Sequence, residues 1–201
     1  MTQSIYRNYG HSDSISAFQD TLWLIKSGIV RTLTYTELGK VTALGYWSAG
    51  DVVGHPLNTN ETLQINCITR VQAVPLLKDE WSSHLPAVLR HSQQTTQLMS
   101  YLINENIAQR LIHILRWLGS RFGVNFNDGL LIDFPLTHCA IGELIGSSRV
   151  SVTRLLGYMA REGALVRCKN SRLLLLKDLN GIDVKAISYQ LNPHCRTSDQ
   201  V

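Results

Sequence analysis

Residues 136–159 constrain the fold most, because two short apolar patterns meet there at a single glycine. Both patterns repeat at steps of three and four residues, which is the spacing of one helix face. Thr137 can cap the first helix, and Ser147 or Ser148 can cap the second. Gly146 suits the turn between them, because glycine enters the left-handed backbone region at little cost. The segment therefore predicts a helix-turn-helix. Its predicted buried positions are Ala140, Ile141, Leu144, Ile145, Val152, Leu155, Leu156 and Met159.

The outward positions of the second helix suggest what this motif binds. Arg149 can donate two hydrogen bonds to a guanine, and Val150 can contact a thymine methyl group. Hydroxyl groups and a helix N-terminus suit phosphates. The pattern therefore predicts binding to double-stranded DNA, with a purely structural helical hairpin as the alternative. The predicted DNA-binding residues are Thr137, Ser147, Ser148, Arg149, Val150, Ser151, Thr153, Arg154, Lys169 and Arg172.

The placement of charge favours the same hypothesis. Residues 1–104 hold seven basic and seven acidic side chains, whereas residues 135–177 hold seven basic and two acidic ones. A basic C-terminal segment beside a neutral N-terminal one suits a surface that faces phosphates. A solvated basic face without a partner is the alternative.

The first 77 residues have the pattern of short strands. Turn signals at 27–28, 38–40 and 49–51 separate runs of β-branched and aromatic residues. Many short strands with frequent turns are typical of an antiparallel roll or barrel. The predicted strands cover residues 21–25, 29–35, 41–47, 63–71 and 73–77, and another begins at 52.

Helical periodicity replaces the strand pattern after residue 78. The apolar spacing predicts one helix over 86–104 and a second over 105–122. Such long apolar faces in a small chain predict a homodimer held by residues 86–118. Polar Ser92, Thr95 and Thr96 interrupt the first face, and they indicate either a solvated seam or a polar pocket at the dimer interface. Further on, residues 130–134 predict a strand, and residues 164–176 predict a hairpin.

Residues 137–157, with Arg-Val-Ser-Val-Thr-Arg at 149–154, resemble the winged helix-turn-helix of the Crp/Fnr regulator family, and most of all its nitrogen-control branch. Residues 22–31 and 49–54 resemble the sensor-barrel signature of that family, and residues 107–111 resemble the helix that follows its dimerisation helix. The resemblance implies an α+β fold with an N-terminal antiparallel β-roll (a cyclic-nucleotide-binding-like jelly roll), a long dimerisation helix and a C-terminal winged helix-turn-helix. The implied domains are 1–84, 85–122 and 123–180, followed by a C-terminal extension at 181–201.

The resemblance also implies a function. Family members are homodimers that read a palindromic site and control transcription, so RNA polymerase is an expected partner and no catalysis is expected. The alternative class is a ligand-binding β-barrel protein or an enzyme whose helical C-terminal part serves only dimerisation.

The cassette that binds phosphate in cyclic-nucleotide sensors departs from their pattern here. Residues 53–57 read Val-Gly-His-Pro-Leu, and residues 61–67 contain no arginine. A buried phosphate without a guanidinium partner is poorly compensated. We therefore expect no cyclic nucleotide and no resident cofactor. Two alternatives stay open: a regulator gated by 2-oxoglutarate or another metabolite, and a regulator that is independent of any effector. His55 could be a metal or haem ligand or a titrating group, with a structural or exposed histidine as the alternative. The predicted effector pocket comprises Gly54, His55, Leu57, Thr95 and Thr96.

The remaining composition sets the expected location. The four cysteines form no Cys-x-x-Cys pair, which favours reduced thiols over a metal site. No apolar run has the length of a membrane span, and the N-terminus lacks the pattern of a secretory signal. The chain is therefore expected in the cytoplasm, away from membranes.

Overall fold

The computed structural model describes residues 6–58, 61–103, 106–127, 129–176 and 179. The chain divides into two compact units, Met1–Met99 and Ser100–Val201. The predicted C-terminal extension at 181–201 lies outside the described residues, and the limits of the predicted domains stay a prediction.

The first unit is built from two antiparallel sheets of four strands each. One sheet has the order β1-β8-β3-β6, and the other has the order β2-β7-β4-β5. The antiparallel roll predicted from the strand pattern is thereby confirmed. The strands are β1 (Arg7–Tyr9), β2 (Ser14–Ile15), β3 (Leu22–Ser27), β4 (Val30–Tyr35), β5 (Val41–Trp47), β6 (Val52–Val53), β7 (Gln64–Cys67) and β8 (Val71–Leu76).

The first four side chains of β3 are buried. Because strand side chains alternate between the two faces of a sheet, these four residues belong to two different core clusters. Trp23 and Ile25 belong to a core cluster that also contains Val30 and Ile65 of the second sheet. Leu22 and Leu24 belong to another cluster, which includes Ala87 of helix α1 (Leu85–Leu102). A 3₁₀ segment, Lys78–His84, leads into this helix.

Two features of the roll differ from the prediction. The strand predicted over 63–71 is wrong, since β7 ends at Cys67 and β8 begins at Val71. Between them the chain bends, and the N–H groups of Ile68 and Thr69 both donate to the carbonyl of Ile29, at 2.8 and 3.3 Å. β1 and β2 were not predicted, because they are short and mostly exposed and so carry almost no apolar pattern.

In its described residues, the second unit combines three further helices with an antiparallel sheet of order β11-β12-β10-β9. Its inner helix α2 buries Leu111, Ile114, Leu115 and Leu118 along one face. The elements are α2 (Ile107–Phe122), β9 (Gly123–Phe126), β10 (Gly129–Ile132), α3 (His138–Ile145), α4 (Arg149–Arg161), β11 (Leu165–Arg167) and β12 (Leu173–Leu175).

The helix boundaries also shift from their predicted positions. α1 ends at Leu102, and α2 begins at Ile107 because the Asn106 side chain accepts a hydrogen bond from the Ala108 N–H at 2.8 Å. The predicted strand at 130–134 is shorter in the structure, and strand β9 was not predicted. Among the described residues, no helix is long and apolar enough to cross a membrane.

Candidate nucleic-acid interface

Helix α3 begins and ends as its sequence predicts. The Thr137 hydroxyl accepts a hydrogen bond from the Ala140 N–H at 3.1 Å, which caps the first turn. At the other end, Gly146 has the left-handed backbone angles φ 68° and ψ 36°. A residue with a Cβ atom would be strained in this conformation.

Gly142 has a role in the turn that the apolar pattern did not indicate. The Ser147 N–H donates to the Gly142 carbonyl at 2.9 Å, so the chain leaving α3 lies against the helix. A Cβ atom on Gly142 would lie 2.7 Å from the Ser147 carbonyl oxygen. Glycine at this position therefore lets the two helices approach as closely as they do.

Helix α4 is capped by Ser148 and not by Ser147. The Ser148 hydroxyl oxygen accepts a hydrogen bond from the Ser151 N–H at 3.0 Å. The predicted inner face of the helix is confirmed. Its buried residues are Val152, Leu155, Leu156 and Met159.

The opposite side of α4 presents two arginines and a valine. Arg149 and Arg154 are exposed, and their guanidinium groups have no hydrogen-bond or ion-pair partner among the described residues. Val150 lies beside Arg149 and is 59% exposed. Side chains with this exposure at the start of a helix can enter a DNA groove without rearrangement.

The hydroxyl groups of this region are already engaged within the motif. Ser148 and Ser151 share a hydrogen bond of 3.0 Å between their side chains. The Thr153 hydroxyl donates to the Arg149 carbonyl at 2.8 Å. These residues therefore stabilise the first turns of α4 whether or not they also contact phosphate.

The hairpin of β11 and β12 places the two predicted wing cations in different situations. Lys169 is exposed, and its ammonium group has no partner among the described residues. Arg172 forms an ion pair with Asp133, with 2.6 Å between Nη1 and Oδ1. Lys169 is thus free to contact an anion, whereas Arg172 would have to share or leave its carboxylate.

His138, the first residue of α3, joins the two helices and was not predicted as a site residue. Its Nδ1 atom lies 2.7 Å from the Thr153 hydroxyl of α4. Burial lowers the pKa of His138, and the positive charges of Arg167 and Arg149 lower it further. The imidazole thus lies in the positively charged part of the motif.

The five residues of the predicted effector pocket each have a local structural contact. Gly54 approaches the neighbouring strand, since a Cβ atom there would lie 2.5 Å from the Thr21 carbonyl oxygen. Leu57 packs against the core cluster that contains Leu22, Leu24 and Ala87. The Thr95 and Thr96 hydroxyls donate to carbonyls of their own helix, and His55 is half-buried in a single 3₁₀ turn.

A cavity of about 430 Å³ in the first unit involves other residues. Its lining comprises Leu24, Ile25, Lys26, Gly50, Ser83, His84, Pro86, Ala87 and Arg90. The predicted effector pocket therefore stays a prediction. In the part of the chain that the structure describes, no three His, Cys, Asp or Glu side chains are grouped so that they could hold a metal ion.

Comparison with known proteins defines the class of this protein. Residues 109–183 match the Crp-like helix-turn-helix domain family. The regulatory protein CysR of Synechococcus elongatus is 35% identical over 161 residues, which cover 79% of this chain and 78% of CysR. The global nitrogen regulator of the same organism is 41% identical over 80 residues, which are 40% of this chain and 36% of that protein.

A solved structure gives the same fold over almost the whole chain. A CRP/FNR-family transcriptional regulator from Thermus thermophilus superposes with a TM-score of 0.70 at 19% identity, covering 92% of this chain and 96% of its own. The chain belongs to the Crp/Fnr family of transcriptional regulators, near its nitrogen-control branch. It is a regulator and not an enzyme, so the alternative of a catalytic or ligand-storing barrel is set aside.

Proposed function

We propose that this regulator binds a palindromic DNA site as a homodimer and that α4 reads the bases of each half-site. The observation that carries the proposal is the exposed pair Arg149 and Val150 at the start of α4, opposite a buried apolar face. Because the partner is chromosomal DNA, we place its action in the cytoplasm.

The positions of the two arginines on α4 suggest a half-site. Arg154 follows Arg149 by five residues, which is a rotation of about 500°, or roughly 140° net, around the helix. The two guanidinium groups would therefore meet different edges of the major groove. Val150 cannot accept a hydrogen bond from cytosine, and a thymine methyl group is its natural contact. We expect guanine next to a T·A pair, as in GTA, with half-sites about 34 Å apart.

Residues around this reading surface would hold the DNA backbone. Lys169 would contact phosphate directly, and Arg172 would do so by exchanging Asp133 for a phosphate oxygen. Thr137 caps the N-terminus of α3, and Ser147 lies in the turn between α3 and α4. Hydroxyl and N–H groups at helix N-termini suit phosphates. These contacts would add affinity without sequence preference.

Two substitutions distinguish a residue that contacts bases from a residue that contacts phosphates. Arg149→Ala should cost about 1–3 kcal/mol of binding free energy on the palindrome and little on a scrambled duplex. Lys169→Ala should weaken binding to both duplexes alike and reduce the log–log salt slope by about one unit for each protomer. Fluorescence-anisotropy titrations over a salt series measure both effects. Equal losses on both duplexes for Arg149→Ala would make Arg149 a phosphate contact and overturn the proposed reading surface.

An apolar seam on α1 supports the homodimer. Leu85, Leu89 and Met99 are each more than half exposed. Together with Ser92 and Thr96 they form a series along α1 in which the positions are separated by alternating steps of four and three residues. This is the spacing of a two-helix seam. Sedimentation of the chain with its DNA should show a dimer. Leu89→Glu should weaken the dimer, whereas Leu38→Glu, at a hairpin tip where the leucine is 96% exposed, should not. A monomeric wild type at micromolar concentration would contradict this.

We also propose that a cyclic nucleotide is not the effector. Two indole side chains, Trp23 and Trp47, fill the core between the sheets, and residues 61–67 offer no arginine for a phosphate. Calorimetry with cyclic AMP should detect no binding at micromolar concentration.

We further propose that an effector binds beside residues 54–57 and 95–96, and that the protein regulates transcription through RNA polymerase. Transcription in vitro with purified polymerase tests the latter, and an unchanged transcript level at saturating protein would contradict it.

A further inference from the structure

The hydrogen bonds around His138 favour one tautomer of the ring. Thr153 has one hydroxyl proton, and it is donated to the Arg149 carbonyl at 2.8 Å. With that proton on the carbonyl, the Thr153 oxygen accepts from His138 across the 2.7 Å contact, and Nδ1 is the nitrogen that carries a hydrogen. In the neutral imidazole, the second nitrogen, Nε2, is then unprotonated and basic.

The charges that act on this ring are both cations. Arg149 comes from α4, and Arg167 comes from β11 in the wing. On the histidine's own helix, Glu143 already accepts a hydrogen bond from the Cys139 thiol at 3.4 Å. Nε2 itself has no hydrogen-bond partner among the described residues. Both arginines are exposed and both act on this ring, so a phosphate attracted to them would approach His138.

We propose that His138 is a further contact of the DNA interface, which takes up a proton at Nε2 when a backbone phosphate approaches, while Nδ1 keeps Thr153 and the first turn of α4 in place. The inference rests on the proposed function, because it needs DNA to approach this face. The phosphate would make the protonated form of the ring more favourable, whereas the two arginines disfavour it. Its negative charge offsets Arg149 and Arg167, and a protonated Nε2 can donate a charge-assisted hydrogen bond to it.

Proton uptake links DNA affinity to pH. Since the bound state would hold one more proton per protomer, affinity should rise as the pH falls through the window between the pKa values of the free and bound states. The steepest dependence is about one log unit of Kd per pH unit for each protomer, or about two for a dimer.

The test compares three proteins on the palindromic duplex between about pH 5.5 and 8.5. His138→Asn keeps an N–H donor for Thr153 but cannot titrate, and His11→Asn makes the same change at an exposed histidine of the first unit. Wild type and His11→Asn should bind more tightly at low pH. The pH profile of His138→Asn should lack this gain. Identical pH profiles for wild type and His138→Asn would overturn the inference and leave the proposed function intact.

A second measurement does not depend on the variant folding. The ring protons of His138, followed by NMR in the wild-type protein, should report a pKa that is higher with the duplex than without it. An unchanged or lower pKa in the complex would overturn the inference. If the wild type binds no duplex at any pH, the proposed function fails, and the inference fails with it.

Discussion

Two glycines of the helix-turn-helix should respond in opposite directions to the same substitution. Gly142 and Gly157 both lie inside helices, where alanine is favoured over glycine by about 1 kcal/mol. A Cβ atom at Gly157 would meet nothing within 4 Å. We therefore expect Gly157→Ala to stabilise the second unit by about 1 kcal/mol.

At Gly142 the same atom meets backbone. It would lie 2.7 Å from the Ser147 carbonyl oxygen, and relief requires the turn to move. Overpacking of this kind costs about 1–3 kcal/mol, which cancels or exceeds the gain in helix propensity. Gly142→Ala should therefore be less stable than Gly157→Ala by about 1–3 kcal/mol. Because the displaced turn precedes Arg149, the first variant should also lose DNA affinity, and the second should keep it.

Amide hydrogen exchange in α4 peptides is a suitable assay, because it reports the opening of the second unit separately from the first. DNA titrations on the same samples give the functional effect. If Gly142→Ala protected α4 as well as Gly157→Ala does, the close approach of the two helices would be wrong, and the position assigned to Arg149 would be wrong with it.

Three smaller predictions follow from single residues. Ser148→Ala should destabilise the second unit by about 1 kcal/mol through loss of the cap, and Ser147→Ala should do so much less; equal losses in hydrogen exchange would refute the assignment of the cap. Under native conditions near pH 8, a maleimide should label exposed Cys139 quickly and Cys67 slowly, because burial and then the charge of Asp13 raise the pKa of Cys67 to about 11. Mass spectrometry of the peptides measures both rates, and fast labelling of Cys67 would contradict its burial. The folded state lowers the pKa of His138, so the unfolded state binds more protons, and the stability of the second unit should fall as the pH drops below about 6.5. His138→Asn should reduce this loss of stability in a series of urea titrations at different pH values, and an unchanged loss would refute the prediction.

Local interactions explain why the helix-turn-helix could be predicted from the sequence. The cap at Thr137, the left-handed Gly146 and the buried face of α4 each depend on residues within one or two turns of the chain. Such features leave a pattern in the sequence that needs no knowledge of distant contacts.

Contacts between distant residues explain most of what was missed. The ion pair between Arg172 and Asp133 joins residues that are 39 positions apart, and the bond between His138 and Thr153 joins residues that are 15 apart. The bend at 68–70 depends on the Ile29 carbonyl of another loop. No pattern of spacing in one segment can report such partners, so the role of His138 and the pairing of Arg172 became visible only in the fold.

Selection of bound duplexes from a random library tests most directly whether α4 reads DNA. The purified chain, with Arg149→Ala as the matched control, would be presented with random double-stranded DNA at moderate salt. We predict an enriched inverted repeat whose half-sites contain guanine next to a T·A pair and lie about one helical turn apart, with the guanine preference lost in Arg149→Ala. Retention of duplexes without any common sequence, or the same motif for both proteins, would contradict the account.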